Sequence, residues 1–265
     1  MSETLLTTLD HGVMTLTLNR PDVFNSFNQD MGRAFQAALD DAANNGAVRC
    51  VVITGEGRAF CAGQDLKEVT SEASPGFKVI VEETYNRSIR RICDMEKPVV
   101  AAVNGVAAGA GANIALACDF VVAKTSVKFI QAFANIGLIP DSGGTFWLPR
   151  LVGMARATEL LMFGEVFDAA RALELGFVNR VEEDGPAALA LATEWAQKLA
   201  RGPQFAHRMT KRMLEQEHGM SLRDAMEAEA QAQAICMQHP DFRTAHDAFK
   251  RKERPVFEGA EICDD

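Results

Sequence analysis

The order of apolar and polar positions gives the first outline of the molecule. Over 12–18 the chain alternates: Met14, Leu16 and Leu18 fall on one side, Val13, Thr15 and Thr17 on the other. A period of two predicts a strand with unlike faces. Past Asn28 the period lengthens. Met31, Ala34, Phe35, Ala38, Leu39 and Ala42 recur at helical spacing, with Asn28 as N-cap and Asn44-Asn45-Gly46 as the stop. Three short apolar runs, 50–54, 99–103 and 120–123, suit strands buried on both faces. A helix is expected over roughly 77–95, ended by Pro98. A glycine-rich loop follows the first run (55–63). A second loop (104–111) follows the next run and feeds a helix over 112–117. Strand, helix, strand in this order implies α/β layering.

After Gly153 helical stretches dominate: 155–163, 169–175, 187–200 and 203–216. A further helix starts at Ser221, with Asp224 three residues on as a variant capping box. Only 177–181 reads as a strand. The pattern divides the chain into a core over 1–200 and a helical region over 201–265. The latter carries Met209, Met213, Met220, Met226 and Met237. Its helices would expose apolar faces if isolated, so they pack on a core of their own or on a neighbouring subunit.

Composition narrows the function classes. Of 265 residues, 48% are hydrophobic and 24% charged, enough apolar material for a sizeable core. A net charge of −9 argues against general nucleic-acid or anionic-membrane binding, which wants a basic face. A phosphate-bearing ligand held by a local basic cluster is still compatible. The six cysteines, at 50, 61, 93, 118, 236 and 263, show no Cys-x-x-Cys pair and no metal-ligand spacing to histidine. They are expected to be reduced thiols of a cytoplasmic protein, with no metal. The N-terminus lacks the basic and long apolar regions of a secretory signal, and the longest apolar run is strand-sized.

The loops carry the candidate chemistry. Residues 57–66 and 104–113 each follow a buried strand and place small residues where the chain turns. Small side chains let a ligand approach backbone N–H groups, and two N–H groups converging on one oxygen form an oxyanion hole. The same glycines would equally serve close helix–strand packing. A dinucleotide loop is excluded, because Ile114 stands where the third glycine of the fingerprint belongs.

An ordered series of motifs goes further. Asn19-Arg20-Pro21 with Asn25-Ser26 comes first, then Ala59-Phe60-Cys61-Ala62-Gly63-Gln64-Asp65-Leu66, then Pro98-Val99-Val100-Ala101-Ala102-Val103-Asn104-Gly105. Gly137-Leu138-Ile139-Pro140-Asp141-Ser142-Gly143-Gly144-Thr145 and Leu148-Pro149-Arg150 follow, and the tail runs from Lys250 through Arg254-Pro255 to Gly259. In this order the series resembles the crotonase (enoyl-CoA hydratase/isomerase) family. The resemblance implies an α/β crotonase fold: a repeated β-β-α superhelical core and a C-terminal helical region that builds trimers, often paired into hexamers. It implies an acyl-CoA thioester as substrate, with no cofactor beyond the coenzyme A that the substrate itself carries. By matching positions, the oxyanion donors are the backbone N–H groups of Gln64 and Ala110. Ala62, Gln64, Asp65, Leu66 and Lys67 would lie along the CoA path, and Arg20 and Lys67 would face its phosphates. Lys250 or Arg254 would join them from a neighbouring subunit.

The family's hydratases work with two glutamates, and this chain has Asn113 and Phe133 at the matching positions. Neither can shuttle a proton, so both are expected to touch substrate without acting as bases. One carboxylate remains in that stretch, Asp141. It either caps the helix that begins near Gly143 or, as in family isomerases, moves a proton between two carbons of the acyl chain. A dehalogenase would need a histidine base nearby, and 12–206 contains none. The reading is an acyl-CoA isomerase, with a hydratase and a non-catalytic acyl-CoA binder as alternatives.

Overall fold

Alternation over 12–18 becomes the second strand of a hairpin. The computed structural model describes residues 3–72, 74–216 and 219–257. β1 (Leu5–Asp10) and β2 (Val13–Leu18) pair antiparallel across a turn at His11 and Gly12, both at positive φ. α1 (Gln29–Asn44) follows, its Asn28 side chain accepting from the Met31 N–H at 3.0 Å. From there the chain repeats one pattern. β3 (Cys50–Gly55) and β4 (Ala59–Cys61) lead into α2 (Leu66–Val69), α3 (Phe77–Ile80), a π-helical stretch (Val81–Asn86) and α4 (Arg87–Asp94). β5 (Val99–Val103) and β6 (Val106–Ala108) lead into α5 (Ala110–Leu116). β7 (Phe120–Lys124) and β8 (Lys128–Ile130) lead into α6 (Gly144–Val152) and α7 (Met154–Phe163). β9 (Val166–Asp168), α8 (Ala169–Glu174) and β10 (Arg180–Glu182) close this part, followed by α9 (Gly185–Ala200), α10 (Gln204–Gln216), α11 (Leu222–Gln238) and α12 (Pro240–Arg251).

The first strand of each repeat joins a large sheet, ordered β1-β2-β3-β5-β7-β10 and parallel throughout after the hairpin. The second joins a small sheet, β4-β6-β8-β9, in which only β9 runs antiparallel. The apolar runs are continuous because the large sheet is covered on both faces. Val51, Ile53, Ala101 and Val121 turn toward α1 with Phe35 and Leu39. Cys50, Val52, Val100, Ala102 and Val122 face α9, which meets them with Ala188, Ala192, Ala196 and Ala200. Alanine at every fourth position lets that helix lie close against the strands.

Several elements differ from the sequence reading. The segments 55–63 and 104–111 are not loops throughout: each contains a three-residue strand, too short to show a period. The helix expected over 112–117 starts two residues earlier, at Ala110. Turns of π-helix interrupt the helix expected over 77–95. In 177–181 only Arg180 and Val181 are in a strand, and Phe177 and Val178 are instead buried in the core after Gly176 turns at φ 78°. β1, β8 and β9 were not foreseen.

Beyond Ala200 the chain is tied to the core by polar bonds. Lys211 Nζ pairs with Asp119 at 2.8 Å and donates to the Ile92 carbonyl at 2.9 Å, and Arg208 pairs with Glu96 at 2.8 Å. Burial is sparse. Among the described residues α10 has no buried side chain, α11 only Ala232 and α12 only Ala248. Leu222, Met226, Met237 and Phe249 are all more than half exposed. Cys50, Cys61 and Cys118 are buried free thiols, and burial pushes the first two up to about 12. Cys263, His218 and Gly259 lie outside the described residues. No helix among the described residues is long and apolar enough to cross a membrane.

The contact between α9 and the large sheet has no spare space. Ala192→Leu should therefore lower stability by about 1–3 kcal/mol through overpacking, seen as a lower thermal unfolding midpoint by circular dichroism.

Candidate active site

The small sheet brings the two loops together. β4 and β6 are parallel neighbours with Cys61 opposite Ala107, so their C-terminal ends lie side by side. Glycines let them approach. A Cβ on Gly111 would fall 2.2 Å from the Cys61 carbonyl oxygen. One on Gly63, at φ 87°, would fall 2.9 Å from the Ala108 carbonyl oxygen and 3.6 Å from the Ala110 nitrogen. Both positions are closed to any side chain.

Phe27 orients the first loop. Its N–H donates to the Gly63 carbonyl at 2.7 Å, and its carbonyl accepts from the Asp65 N–H at 2.8 Å. In such a parallel bridge the residue between, Gln64, turns its own N–H and C=O the other way. That side is where Gly109 and Ala110 run. The Ala110 N–H lies in the first turn of α5, where no intrahelical acceptor exists. The two groups border one cavity of about 180 Å³. Ala62, Gly63 and Gln64 form one wall and Gly109 and Ala110 another, while Phe133, Ile136 and Leu138 make an apolar side. Phe133 is 6% exposed, its ring laid over Gly109.

Asp141 completes the lining. It sits on a tightly turned segment in which Ser142 (φ 52°) and Gly143 (φ 77°) are both left-handed. Its carbonyl accepts from the Gly144 N–H at 2.9 Å and from Asn113 Nδ2 at 2.8 Å. The Ser142 hydroxyl donates to Oδ1 at 2.7 Å. Burial pushes the carboxyl above the ordinary carboxylate range, and the Ser142 hydrogen bond only partly opposes this. The capping alternative does not hold. The N-cap of α6 is Gly143, and no side chain caps that helix.

The other expected site residues fall into distinct places. Asn113 is fully buried in α5, bonded to Gln131 and to the Asp141 carbonyl, and does not line the cavity. Arg20 is engaged within the protein: Nη2 pairs with Asp65 at 2.9 Å and Nη1 donates to the Ser26 carbonyl. Asp65 also caps α2 by accepting from the Lys67 N–H at 3.2 Å. This pair braces the loop that carries Gln64. Leu66 lines the cavity and is exposed, Lys67 beside it is exposed without lining it, and Lys250, in α12, and Arg254, just after it, are exposed. Ser142, Gln131 and Phe77, which lines the cavity, were not singled out from the sequence. A serine next to the lone aspartate was the available signal. Among the described residues no histidine lines the cavity, and no group of three or more His, Cys, Asp or Glu side chains could hold a metal ion.

Repeated β-β-α turns feeding two sheets, with two small-residue turns and Asp141 around one cavity, define a crotonase fold. The enoyl-CoA hydratase/isomerase model matches residues 8–260, and the chain belongs to that family. It is 40% identical over 262 residues to the 1,2-epoxyphenylacetyl-CoA isomerase of Escherichia coli (strain K12), covering 98% of this chain and 100% of that protein. It is 37% identical to the trans-2-decenoyl-[acyl-carrier-protein] isomerase of Streptococcus mutans, covering 96% and 98%. The crystal structure of an enoyl-CoA hydratase from Bacillus anthracis superposes with a TM-score of 0.92 at 31% identity, covering 97% of this chain and 99% of that one.

Two outcomes follow from the geometry. Gly111→Ala should force β4 and α5 apart and cut turnover at least about 10-fold, since a misplacement near 1 Å can cost about 100-fold; steady-state kinetics on an enoyl-CoA checks this. The second concerns stability. The folded state holds the Asp141 proton more strongly than the unfolded chain does. That contribution is present below the ordinary carboxylate range and is lost as pH rises through the raised folded value. Asp141→Asn should therefore match or exceed the parent's thermal midpoint at neutral pH, and the difference should shrink on acidification.

Proposed function

We propose that this protein is an acyl-CoA isomerase in which Asp141 moves a proton between two carbons of the acyl group. The observation that carries the reading is the placement of Asp141. Among the described residues it is the one carboxylate bordering the cavity that Gln64 and Ala110 also line, and burial raises its proton affinity. The thioester carbonyl oxygen sits between those two donors. Asp141, ionised, takes a proton from the carbon next to the carbonyl. The electron pair moves onto the carbonyl oxygen, where the two N–H groups stabilise the enolate. The protonated carboxyl then returns the proton further along. For a 3-enoyl chain this moves the double bond to the 2-position.

The apolar wall of Phe133, Ile136 and Leu138 suits an acyl group without charge, including an aromatic-derived one. Similarity to the Escherichia coli isomerase supports 1,2-epoxyphenylacetyl-CoA as a substrate, opened to the seven-membered oxepin. The absence of a carboxylate at 113 and 133 speaks against water addition. Likeness to an enoyl-CoA hydratase structure keeps hydration as the second reading. A dehalogenase is disfavoured, because no histidine is available beside Asp141. In this reading residues 201–265 are an oligomerisation region: α10 to α12 bury almost nothing within one chain, and a trimer, alone or doubled, would cover their apolar faces.

Incubation with a 3-enoyl-CoA, crotonyl-CoA and 1,2-epoxyphenylacetyl-CoA, followed by mass analysis, should give products of unchanged mass. A gain of one water on crotonyl-CoA would favour the hydratase instead. Asp141→Asn should lose at least about 100-fold in turnover, the usual scale of general acid–base catalysis, while binding of a saturated acyl-CoA changes little. Retention of more than about a tenth of the parent rate would remove Asp141 from this role.

A further inference from the structure

Behind Asp141 lie two amides that do not border the cavity. Asn113 and Gln131 are both fully buried. Gln131, just after β8, donates from Nε2 to Asn113 Oδ1 at 2.9 Å. Asn113 in turn donates from Nδ2 to the Asp141 carbonyl at 2.8 Å. The start of α6 sits directly against the second amide: a Cβ on Gly144 would fall 2.6 Å from Asn113 Nδ2. Asn113 has no room to swing.

Among the described residues no cation pairs with the Asp141 carboxyl. Its side-chain hydrogen bond comes from the neighbouring Ser142, itself buried and held in the left-handed region. The direction of the carboxyl is therefore set by its own backbone, and the backbone is set by what holds the Asp141 carbonyl. Two donors do so: the Gly144 N–H and the Asn113 amide.

A second observation concerns the two ends of the Gln131 amide. Gln131 Oε1 is buried and receives no hydrogen bond. Its amide donor is used, on the buried Asn113 Oδ1, which an apolar side chain at 131 would leave without a partner. The Gln131 donor fixes which way the Asn113 amide faces, with the Asn113 donor toward the Asp141 carbonyl. We propose that Gln131 and Asn113 form a positioning relay that aims the Asp141 carboxylate. This rests on the reading of Asp141 as the proton shuttle. The relay also links the two halves of the site. Asn113 stands one turn along α5 from Ala110, so one short helix carries both an oxyanion donor and the bracket for the base.

The experiment compares the full chain with Gln131→Leu, Gln131→Met and Asp141→Asn. It reads the thermal midpoint, butyryl-CoA affinity by calorimetry, and kcat and KM on a 3-enoyl-CoA. Both Gln131 variants should change the midpoint little, because they remove the unpaired Gln131 Oε1 but leave the buried Asn113 Oδ1 without its donor. Affinity and KM should stay within about twofold, and kcat should fall about 10- to 100-fold, the scale of a base misplaced by a fraction of an ångström to an ångström. Adding Gln131→Leu to Asp141→Asn should cost nothing more, since the relay then has no base to aim. Parent-like kcat in a folded Gln131 variant, with Asp141→Asn inactive, overturns the relay alone. So does a loss of kcat accompanied by equal losses of affinity and midpoint, which marks a packing role. Should Gln131→Leu fail to fold, Gln131→Met is read by the same criteria, and failure of both to fold also counts for packing. An active Asp141→Asn removes the reading of Asp141 itself.

Discussion

The site depends on one constraint above all: two consecutive repeats must end side by side, with no side chain between them. Parallel pairing of β4 with β6 sets the level, and Gly63 and Gly111 permit the contact. Once the turns touch, the Gln64 and Ala110 N–H groups have little else to face. The Phe27 bridge occupies the polar groups on either side of Gln64 and leaves its own N–H pointing across the gap. The large sheet serves this arrangement from a distance. Its strands, buried on both faces by α1 and α9, hold the repeats in register so that the small sheet can be short.

Around Asp141 several features are unfavourable for stability. Asp141 is partly buried without a cation, its neighbour Ser142 is held in a left-handed conformation, and Gln131 leaves an acceptor unpaired. Each feature is unfavourable alone. Together they surround one carboxyl whose proton affinity burial raises, on a cavity with an apolar side of Phe133, Ile136 and Leu138. Arg20 and Asp65 show the opposite case: ions paired with each other, bracing the first loop and not presented to a ligand.

Much of the architecture was legible in the chain. The alternation of Met14, Leu16 and Leu18 and the runs at 50, 99 and 120 marked four of the six strands of the large sheet, because strands buried on both faces need continuous apolar stretches. The helix after Asn28 carried its own cap. Less was legible of the small sheet: β4, β6 and β8 are three residues each, shorter than any period that could announce them. The site was half visible. The glycine loops and Asp141 stood out, but Asp141 as an N-cap and Asp141 as a base predict the same local sequence.

Only the tertiary structure removed the capping role, by placing Gly143 at the head of α6 and Asp141 on the cavity lining. It likewise moved Asn113 from the cavity wall to the layer behind it, and gave Gln131 a partner 18 residues away in the chain. By itself the sequence determined the period of each element, the turns that only glycine allows and the lack of carboxylates at 113 and 133, since these reside in single residues and their neighbours. Which atoms face one another was decided by the parallel register and the close packing of α5 between the two loops, because such contacts join residues that no local pattern relates.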